Sequence, residues 1–537
     1  MEFDYIVVGG GSAGSVLAAR LTENPSVTVC LLEAGGDGNS LFVRAPMAGA
    51  AAVPGYAWAL NWRFLTEPQA ELNNRKGFQP RGRGLGGSSA INAMIYIRGQ
   101  REDYDSWAAS GCTGWSFDDV LPYFLKSENN MKGKSDWHQV GGPLSVSDHS
   151  KARPINNDFI AAARSLQIRT NDDFNGPDQE GAGHYQTTQF FDGSRKGERC
   201  SASAAYLDPV RSRSNLTIIT QADATRILFD GTRATGVDYR HRRASKTVTA
   251  RKEVLVCAGA FGSPKLLMLS GIGPEAELRK HGIAVRHASE NLGKNLQDHL
   301  DFTLLYTSTN RDLLGLGLVS AMDVVKSAIE WTRHGTGHVR TNFAESGAFI
   351  KTDPSEPRPD IQLHFIPGLV DDHARKLHLG YGFSCHTCVL RPKSRGEVGL
   401  KSADPFAPPR IDPRYFTEED DRQRLLKGVR ITRKIMESAP LARHIKSEVY
   451  AAKARSDDEL MAEIRKRADT IYHPVGTCRM GADEASVVDL QLQVRGVQNL
   501  RVIDGSIMPT LISGNTNAPI IMIAEKAADM IKQVQRA

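Results

Sequence analysis

Three glycines near the start of the chain have the spacing of a turn that holds a dinucleotide. Gly9, Gly11 and Gly14 form the pattern Gly-x-Gly-x-x-Gly, and Glu33 follows the last of them by 19 residues. The first glycine permits a tight bend, the second lets the backbone approach a pyrophosphate, and the third lets a helix pack on a strand. A carboxylate at the position of Glu33 accepts hydrogen bonds from ribose hydroxyls and argues against a 2′-phosphate. The pattern predicts a dinucleotide site but does not choose between FAD and NAD.

The elements around these glycines are the ones that such a site requires. Residues 5–8 are a continuous apolar run, typical of a strand that is covered on both faces. A helical pattern follows the glycines, and a second apolar run covers residues 27–32. Later, residues 253–257 are predicted as a strand, and Ser263 is predicted as the N-cap of a short helix that ends before Gly271. This order predicts an α/β nucleotide-binding fold.

Composition and charge argue against several classes of protein. The chain has 537 residues, more than a single core usually holds, so we expect two or more lobes. Its 67 basic and 61 acidic residues are scattered and give a net charge of +6, so we expect no nucleic-acid partner. Seven scattered cysteines do not form a disulfide framework. Cys385 and Cys388 are interpreted as strand residues, so no metal site is predicted.

We also expect no targeting or membrane-spanning segment. A strand begins within the first five residues, which leaves no room for a signal peptide. The longest apolar stretches are broken by charge before they reach membrane-spanning length. These observations predict a cytoplasmic protein and leave peripheral association with a membrane open. The sequence does not predict an oligomeric state.

Five further motifs follow the N-terminal glycines in a fixed order. They are a glycine-serine loop over residues 82–94, residues 259–273, residues 293–299 (Gly-Lys-Asn-Leu-Gln-Asp-His), residues 472–481 (Tyr-His-Pro-Val-Gly-Thr-Cys-Arg-Met-Gly) and residues 500–506. Together with the glycine turn, they resemble the glucose–methanol–choline (GMC) family of flavin oxidoreductases. The resemblance spans nearly the whole chain and is strongest to the bacterial branch of choline-dehydrogenase-like enzymes and alcohol dehydrogenases.

The resemblance implies an α/β fold of two domains. A Rossmann-like FAD-binding domain would be assembled from the separated residues 1–155, 200–302 and 472–537. Residues 156–199 and 303–471 would form an inserted α+β substrate-binding domain, an antiparallel sheet with helices that covers the flavin.

The glycine turn and the resemblance together imply a FAD site. Ala224 would offer its backbone to the adenine, Asp504 would meet the ribityl–pyrophosphate stretch, and Asn92 with its neighbours would line the flavin ring. Some relatives attach FAD covalently through a histidine of the glycine-serine loop, but the matching position here is Ile91, so we predict non-covalent FAD. The positions assigned to FAD are Gly9, Gly11, Ser12, Ala13, Gly14, Glu33, Ala34, Arg83, Gly86, Gly87, Ser88, Asn92, Ala93, Met94, Ala224, Ala258, Gly259, Asp504, Gly505, Asn515, Thr516 and Asn517.

Oxidation of an alcohol removes a proton from oxygen and a hydride from carbon, and the flavin accepts the hydride. The resemblance places His473 as the proton acceptor, a role that suits an imidazole because it titrates near neutral pH. It places Asn515 at the second catalytic position, where relatives have histidine or asparagine. An asparagine holds the substrate oxygen but cannot take its proton. A helix that starts at Asn517 would direct its N-terminus to the flavin, where reduction leaves negative charge.

Two other residues carry weaker hypotheses. Glu345 matches a glutamate that holds the quaternary ammonium in choline-oxidising relatives, and Phe343, Trp58 and Trp62 are the aromatic faces that cation binding usually needs. Similar segments occur in relatives with other substrates, so aliphatic, aromatic, polyether and amino alcohols all remain candidates. His364 lies in a predicted strand and is interpreted as a structural histidine.

Four functions are compatible with these residues. The first is a dehydrogenase that converts a primary alcohol to an aldehyde and passes electrons to a quinone-like or other acceptor. The second is an oxidase that passes them to oxygen, and the sequence does not separate the two. The third is a hydroxynitrile lyase with non-redox FAD. The fourth is a flavin-binding module without catalysis, which the presence of both His473 and Asn515 argues against.

Overall fold

The structure is a computed structural model that describes residues 1–149, 152–316, 318–454 and 456–536. Two large sheets organise it. In chain order their strands are β1 (Glu2–Val8), β2 (Val29–Leu32), β3 (Gly181–His184), β4 (Leu216–Ile219), β5 (Ala222–Asp230), β6 (Arg233–His241), β7 (Ala244–Val256), β8 (Leu300–Ser308), β9 (Gly315–Leu316), β10 (Ser346–Ile350), β11 (Ile361–Ile366), β12 (Gly380–Val389), β13 (Ser447–Glu448), β14 (Asp469–Thr470) and β15 (Leu500–Val502).

Among the described residues, ten longer helices and four small two-stranded ladders accompany the two sheets. The helices of six or more residues are α1 (Ser12–Leu21), α2 (Arg101–Ala109), α3 (Phe117–Ser127), α4 (Ile155–Ser165), α5 (Gly259–Leu269), α6 (Glu275–Lys280), α7 (Leu318–His334), α8 (Glu419–Met436), α9 (Asp457–Arg467) and α10 (Asn517–Arg536). Two-stranded ladders join Phe64–Leu65 to Phe78–Gln79, Glu128–Asn130 to Leu144–Val146, Ile272–Gly273 to His287–Ala288, and Glu397–Gly399 to Arg410–Asp412.

The first sheet has the order β4-β2-β1-β7-β6-β5, with β15 also paired to β7. Its centre is parallel, because β1 runs alongside both β2 and the second half of β7. The first half of β7 pairs antiparallel with β6. Residues 4–8 of β1 are buried, as their continuous apolar character predicts. Because α1 follows β1 after three residues and leads to β2, the predicted Rossmann-like fold is confirmed.

The N-terminal and C-terminal helices pack against each other beside this sheet. Ser12 at the start of α1 donates a hydrogen bond to Asn517 at the start of α10, over 2.7 Å. In the last turn of α1, Arg20 forms a 2.7 Å salt bridge with the fully buried Glu525. The apolar faces of both helices belong to one hydrophobic core. Residues that are 505 positions apart in the chain therefore place two helix N-termini side by side.

The second sheet has the order β13-β8-β12-β11-β10-β3, with β9 beside β12 and β14 beside β8. Its pairings are antiparallel. The strand expected over residues 360–367 is β11, and α8 packs across β11 and β12. This sheet with its helices is the predicted α+β part of the fold. The boundaries of the two domains stay a prediction.

Some local predictions are corrected by the structure and others are confirmed. The helix expected to start at Ser263 begins four residues earlier, at Gly259, with Ala258 as its N-cap. Ser263 does not cap the helix; its hydroxyl accepts from the N–H of Ala258 and donates to Asp504, over 3.0 and 2.6 Å. Cys385 and Cys388 lie in β12 as buried free thiols. Across the described ranges, no helix combines the length and the apolar content that a bilayer span needs.

Candidate active site

A cavity of about 1460 Å³ is lined by residues of both sheets. It gathers most of the positions predicted for cofactor and catalysis: Gly9, Gly11, Ser12, Ala13, Glu33, Ala34, Arg83, Gly87, Ser88, Asn92, Ala93, Met94, Ala224, Ala258, Gly259, Asp504, Gly505, His473, Asn515, Thr516 and Asn517. Three predicted residues, Gly14, Gly86 and Glu345, do not line it. The cavity thus joins segments from the whole length of the chain.

The glycine turn has the geometry that its spacing predicts. Gly9 has a φ of +104°, and a Cβ there would lie 2.5 Å from the carbonyl oxygen of Cys257. A Cβ on Gly14 would lie 1.9 Å from the carbonyl oxygen of Gly9, so the third glycine serves helix packing and not the cavity wall. A Cβ on Gly11 would meet nothing closer than 3.9 Å. Protein packing does not require a glycine there, and the open space lies at the N-terminus of α1, where a ligand would be.

Glu33 ties this turn to the glycine-serine loop. Its carboxylate accepts from the N–H groups of Gly10, Gly35 and Gly84, over 2.8, 2.7 and 2.9 Å. The side chain is buried, and burial raises the pKa of its carboxyl group above the usual value. Besides the contact with ribose that the sequence predicts, Glu33 therefore has a structural role that the sequence did not indicate. Glu33 fixes the separation of two loops that both line the cavity.

The glycine-serine loop forms the wall opposite the turn. A Cβ on Gly87 would lie 2.7 Å from the Cα of Gly11, so the two loops touch through their glycines. Further along, Asn92 accepts from the N–H of Met94 and from the guanidinium of Arg199, over 3.0 and 2.9 Å. Arg199 is fully buried, and burial lowers its pKa to about 9. The side chain of Asn92 is thus held in one orientation beside the cavity.

Asp504 organises the floor of the cavity at the end of β15. It accepts from the N–H of Gly259 and the hydroxyl of Ser263, and from the N–H of Ser506, over 2.8, 2.6 and 2.8 Å. These bonds join the start of α5 to the segment after β15. A Cβ on Gly259 would contact nothing within 4 Å, so this floor is open to a ligand.

His473 and Asn515 meet at the other end of the cavity. The Nδ2 group of Asn515 donates to Nε2 of His473 over 3.1 Å, although the residues are 42 positions apart. The main-chain N–H of His473 donates to the buried carboxylate of Asp298 over 2.9 Å. Burial lowers the pKa of His473 well below its usual value, and the neighbouring His299 and His364 add to the effect. His473 is therefore a neutral imidazole at pH 7.

The structure changes the interpretation of His364. It lies in β11 and lines the cavity, only 3% of its surface is exposed, and both of its ring nitrogens lack a hydrogen-bond partner within the described chain. Burial lowers its pKa to about 3. Most buried side-chain nitrogens are hydrogen-bonded, so these unpaired nitrogens point to a ligand of the cavity as their partner, and the structural role expected from the sequence stays a prediction. The alternation of Gln362 and His364 in an apolar strand is a signal that places both on one face.

His299 and Asp298 are further residues that sequence reasoning missed. They end the motif over residues 293–299, and both are buried against the segment that carries His473. Asp298 also accepts from the hydroxyl groups of Tyr415 and Thr470, over 2.6 and 2.5 Å. Their position in the quoted motif was the available signal.

Glu345 lies outside the cavity. Its carboxylate accepts from the N–H of Arg153, the amide of Asn156 and the hydroxyl of Thr341, over 2.9, 2.7 and 2.8 Å. Of the three aromatic residues proposed with Glu345, Phe343 and Trp62 line the cavity, whereas Trp58 does not. The structure therefore does not bring Glu345 to the wall that a substrate would touch.

Comparison with known proteins agrees with this architecture. The solved structure of pyridoxine 4-oxidase from Mesorbium loti has a TM-score of 0.89 at 31% identity, with 100% of this chain and 99% of that chain covered. The chain is 47% identical over 533 residues to the alcohol dehydrogenase (acceptor) of Pseudomonas putida, with 98% of this chain and 95% of the relative covered. It is 44% identical over 540 residues to an oxygen-dependent choline dehydrogenase of Yersinia pseudotuberculosis, with 100% and 94% covered. The family model described as GMC oxidoreductase matches residues 3–301 and 392–524. The chain belongs to the GMC oxidoreductase family.

Proposed function

We propose that the protein oxidises a primary alcohol to an aldehyde with non-covalently bound FAD, and that it works as a dehydrogenase. The observation that carries the proposal is the hydrogen-bonded pair of His473 and Asn515 in the cavity that also contains the glycine turn. An imidazole and a dinucleotide site in one cavity supply the two things that alcohol oxidation needs, a proton acceptor and a hydride acceptor.

The residues of the cavity fit FAD. The backbone at Gly11 and Ser12 would hold the pyrophosphate at the N-terminus of α1, and Asp504 would meet the ribityl side. The open spaces above Gly11 and Gly259 are the two places where a side chain would stand in the way. FAD, when bound, accepts the hydride from the alcohol carbon. Ile91 lines the cavity at the position that carries a covalent histidine in some relatives, and its side chain cannot form that bond.

His473 takes the proton of the hydroxyl group. Its lowered pKa keeps the ring neutral at neutral pH, and Nε2 accepts from the Asn515 amide, so Nε2 is the nitrogen that can take the proton. Asn515 donates to the same nitrogen in this structure, and a bound alcohol would replace that bond: its hydroxyl group would donate to Nε2, and its oxygen would accept from the Asn515 amide. His364 offers two further unpaired nitrogens in the cavity wall, where a substrate oxygen would satisfy one of them.

The comparisons support the oxidation of an alcohol and leave the electron acceptor to experiment. The names of the two relatives at 47% and 44% identity describe dehydrogenases that act on an alcohol and on choline. The first name specifies an acceptor, which we propose to be quinone-like. Oxygen is the second candidate, because the other relative is named oxygen-dependent and a fold neighbour is an oxidase. None of these names favours the lyase.

The test is anaerobic mixing of the yellow protein with a panel of primary alcohols. We expect the flavin absorbance to bleach with at least one alcohol, and admission of air to restore the colour slowly compared with an added quinone. Rapid recolouring in air alone would identify an oxidase. Failure of every alcohol to bleach the flavin would overturn the proposal. Acid precipitation should release all yellow colour into the supernatant if FAD is not covalently attached.

We further propose that the protein works on the cytoplasmic side of a membrane, as a peripheral protein. Exposed apolar side chains line the mouth of the cavity: Tyr56, Trp62, Leu65, Leu316 and Leu377. The exposed cations Arg63, Lys76 and Lys376 line the same mouth. Apolar groups among cations are complementary to an anionic lipid surface.

Flotation with lipid vesicles tests this placement. We expect binding to vesicles that contain phosphatidylglycerol, weaker binding to phosphatidylcholine alone, and reduced binding of the Leu377→Ser variant. Met131 is a matched control because it is 51% exposed but does not line the cavity. If Met131→Ser weakens binding as much as Leu377→Ser does, or if the protein does not float, the membrane proposal fails.

A further inference from the structure

His473 is hydrogen-bonded through both ring nitrogens, and each chain of bonds ends at a main-chain carbonyl. A carbonyl oxygen can only accept, so it sets the direction of every bond that leads to it. We propose that His299, Gln362 and Tyr185 are positioning residues that keep the ring hydrogen of His473 on Nδ1. Nε2 then keeps a lone pair, which accepts from Asn515 in this structure and which the hydroxyl group of a bound alcohol would take over. The inference rests on the proposed function, in which Nε2 takes the proton.

The first chain ends at the carbonyl of Leu390. This oxygen lies 2.9 Å from Nε2 of His299, so Nε2 carries the hydrogen and donates it. A neutral imidazole has one N–H group, so Nδ1 of His299 has a lone pair. Nδ1 of His299 lies 2.9 Å from Nδ1 of His473, and His473 must therefore donate from its own Nδ1.

The second chain ends at the carbonyl of Leu363. The hydroxyl group of Tyr185 donates its single hydrogen to that carbonyl over 2.7 Å, so its oxygen accepts from Nε2 of Gln362 over 3.2 Å. The same amide nitrogen donates to Oδ1 of Asn515 over 3.1 Å. The other half of the Asn515 amide, Nδ2, therefore faces Nε2 of His473 and donates to it over 3.1 Å.

The two chains require the same tautomer of His473 independently. They end on different segments of the chain, since Leu363 lies in β11 while Leu390 directly follows β12. In the opposite tautomer, two lone pairs would face each other between His299 and His473, and two hydrogens would face each other at Asn515. Each such unmade bond between buried groups costs about 1–3 kcal/mol. The observed arrangement makes all of them.

His299 does not compete for the proton of the alcohol. It is fully buried and does not line the cavity, so an alcohol in the cavity reaches Nε2 of His473 and not a nitrogen of His299. When His473 becomes charged, the bond from its Nδ1 becomes a charge-assisted one, which stabilises the imidazolium. Besides the two histidines themselves, the charged and titratable groups whose fields act on the pKa of these rings are Asp103, Arg391, Arg81 and His364. The single carboxylate of this set, Asp103, is already paired with Arg358 over 2.6 Å.

The first experiment determines the tautomer directly. Nitrogen-15 NMR of the FAD-loaded full chain with ring-labelled histidines shows which nitrogen carries hydrogen, and the His473→Gln variant identifies the signals of His473 by their loss. We expect the hydrogen on Nδ1. Hydrogen on Nε2 in the unmodified protein would overturn the proposal. This measurement needs no alcohol, so it decides the inference even if the proposed function fails.

The second experiment compares two variants of His299. Leucine removes both bonds, whereas glutamine can direct its amide nitrogen to Leu390 and its oxygen to His473. We expect His299→Leu to slow flavin reduction by roughly 10²-fold, because loss of a tautomer-fixing partner has effects of this order or larger. The Kd of the alcohol should change less than about twofold, since ground-state binding is not affected. His299→Gln should restore most of the rate.

A purely structural role for His299 would give a different result. Both variants would then lose FAD or alcohol affinity together with the rate, and glutamine would be no better than leucine. That result, or a rate in His299→Leu equal to that of the unmodified protein, contradicts the proposal. If His299→Leu does not fold, Gln362→Leu tests the same tautomer from the other chain, and we expect a slower rate there too.

Discussion

The two ends of the cavity are built in different ways. At the dinucleotide end, main-chain N–H groups and the missing side chains of glycines such as Gly11 and Gly259 form the surface. At the reactive end, the surface consists of side chains from separate segments, among them His364, His473 and Asn515. An added methyl group should therefore damage the first end, and a lost polar atom the second.

The largest expected effect is at the reactive end. His473→Ala should keep FAD but slow flavin reduction by about 10²–10⁴-fold, because the general base is lost. Stopped-flow absorbance after anaerobic mixing with an alcohol measures the rate. His444→Ala is the matched control, since His444 bonds Asp158 and does not line the cavity. A near-normal rate in His473→Ala would remove His473 from its proposed role.

At the dinucleotide end, we expect an added methyl group to weaken FAD binding. Gly11→Ala adds one methyl group to open space beside the cavity, and we expect it to weaken FAD binding by about 10- to 100-fold, the effect of about 1–3 kcal/mol of steric clash. Fluorescence titration of apoprotein with FAD measures the Kd. Gly36→Ala is the control, because a Cβ there meets nothing within 4 Å and Gly36 does not line the cavity. Equal Kd values for both variants would argue against a ligand at Gly11.

Glu345 lies outside both ends and should affect stability alone. Glu345→Gln places an amide opposite three donors, so we expect a loss of about 1–3 kcal/mol in the free energy of unfolding. Urea denaturation measures this loss. The KM for choline, if choline is a substrate, should stay within about twofold. A large rise in KM for choline with unchanged stability would restore the hypothesis that Glu345 binds the ammonium group.

The smallest effect is expected from pH. Burial lowers the pKa of His473 below its usual 6.5, and the base must be neutral to act. The rate of flavin reduction should therefore be flat from about pH 6.5 to 8 and fall only at lower pH, as the imidazole becomes protonated. Single-turnover rates across this range test the expectation. A rate that rises steeply between pH 7 and 8 would mean that another group is the base.

The sequence alone determined the dinucleotide end, including the turn at Gly9, the packing role of Gly14 and the strands on either side. These features depend on backbone conformation and near neighbours in the chain, so residue type and spacing suffice to predict them. It also indicated His473 and Asn515, through a resemblance that covers nearly the whole chain.

The tertiary structure decided what surrounds those two residues. It showed that His364 lies in the cavity wall, that Glu345 lies outside it, and that His299 contacts His473. Such contacts join strands that are distant in the chain, and no local pattern specifies which side chains meet or in which direction their hydrogen bonds run. The physical reason is that the hydrogen bonds of such a network form together, and only after the sheets that carry the side chains have packed.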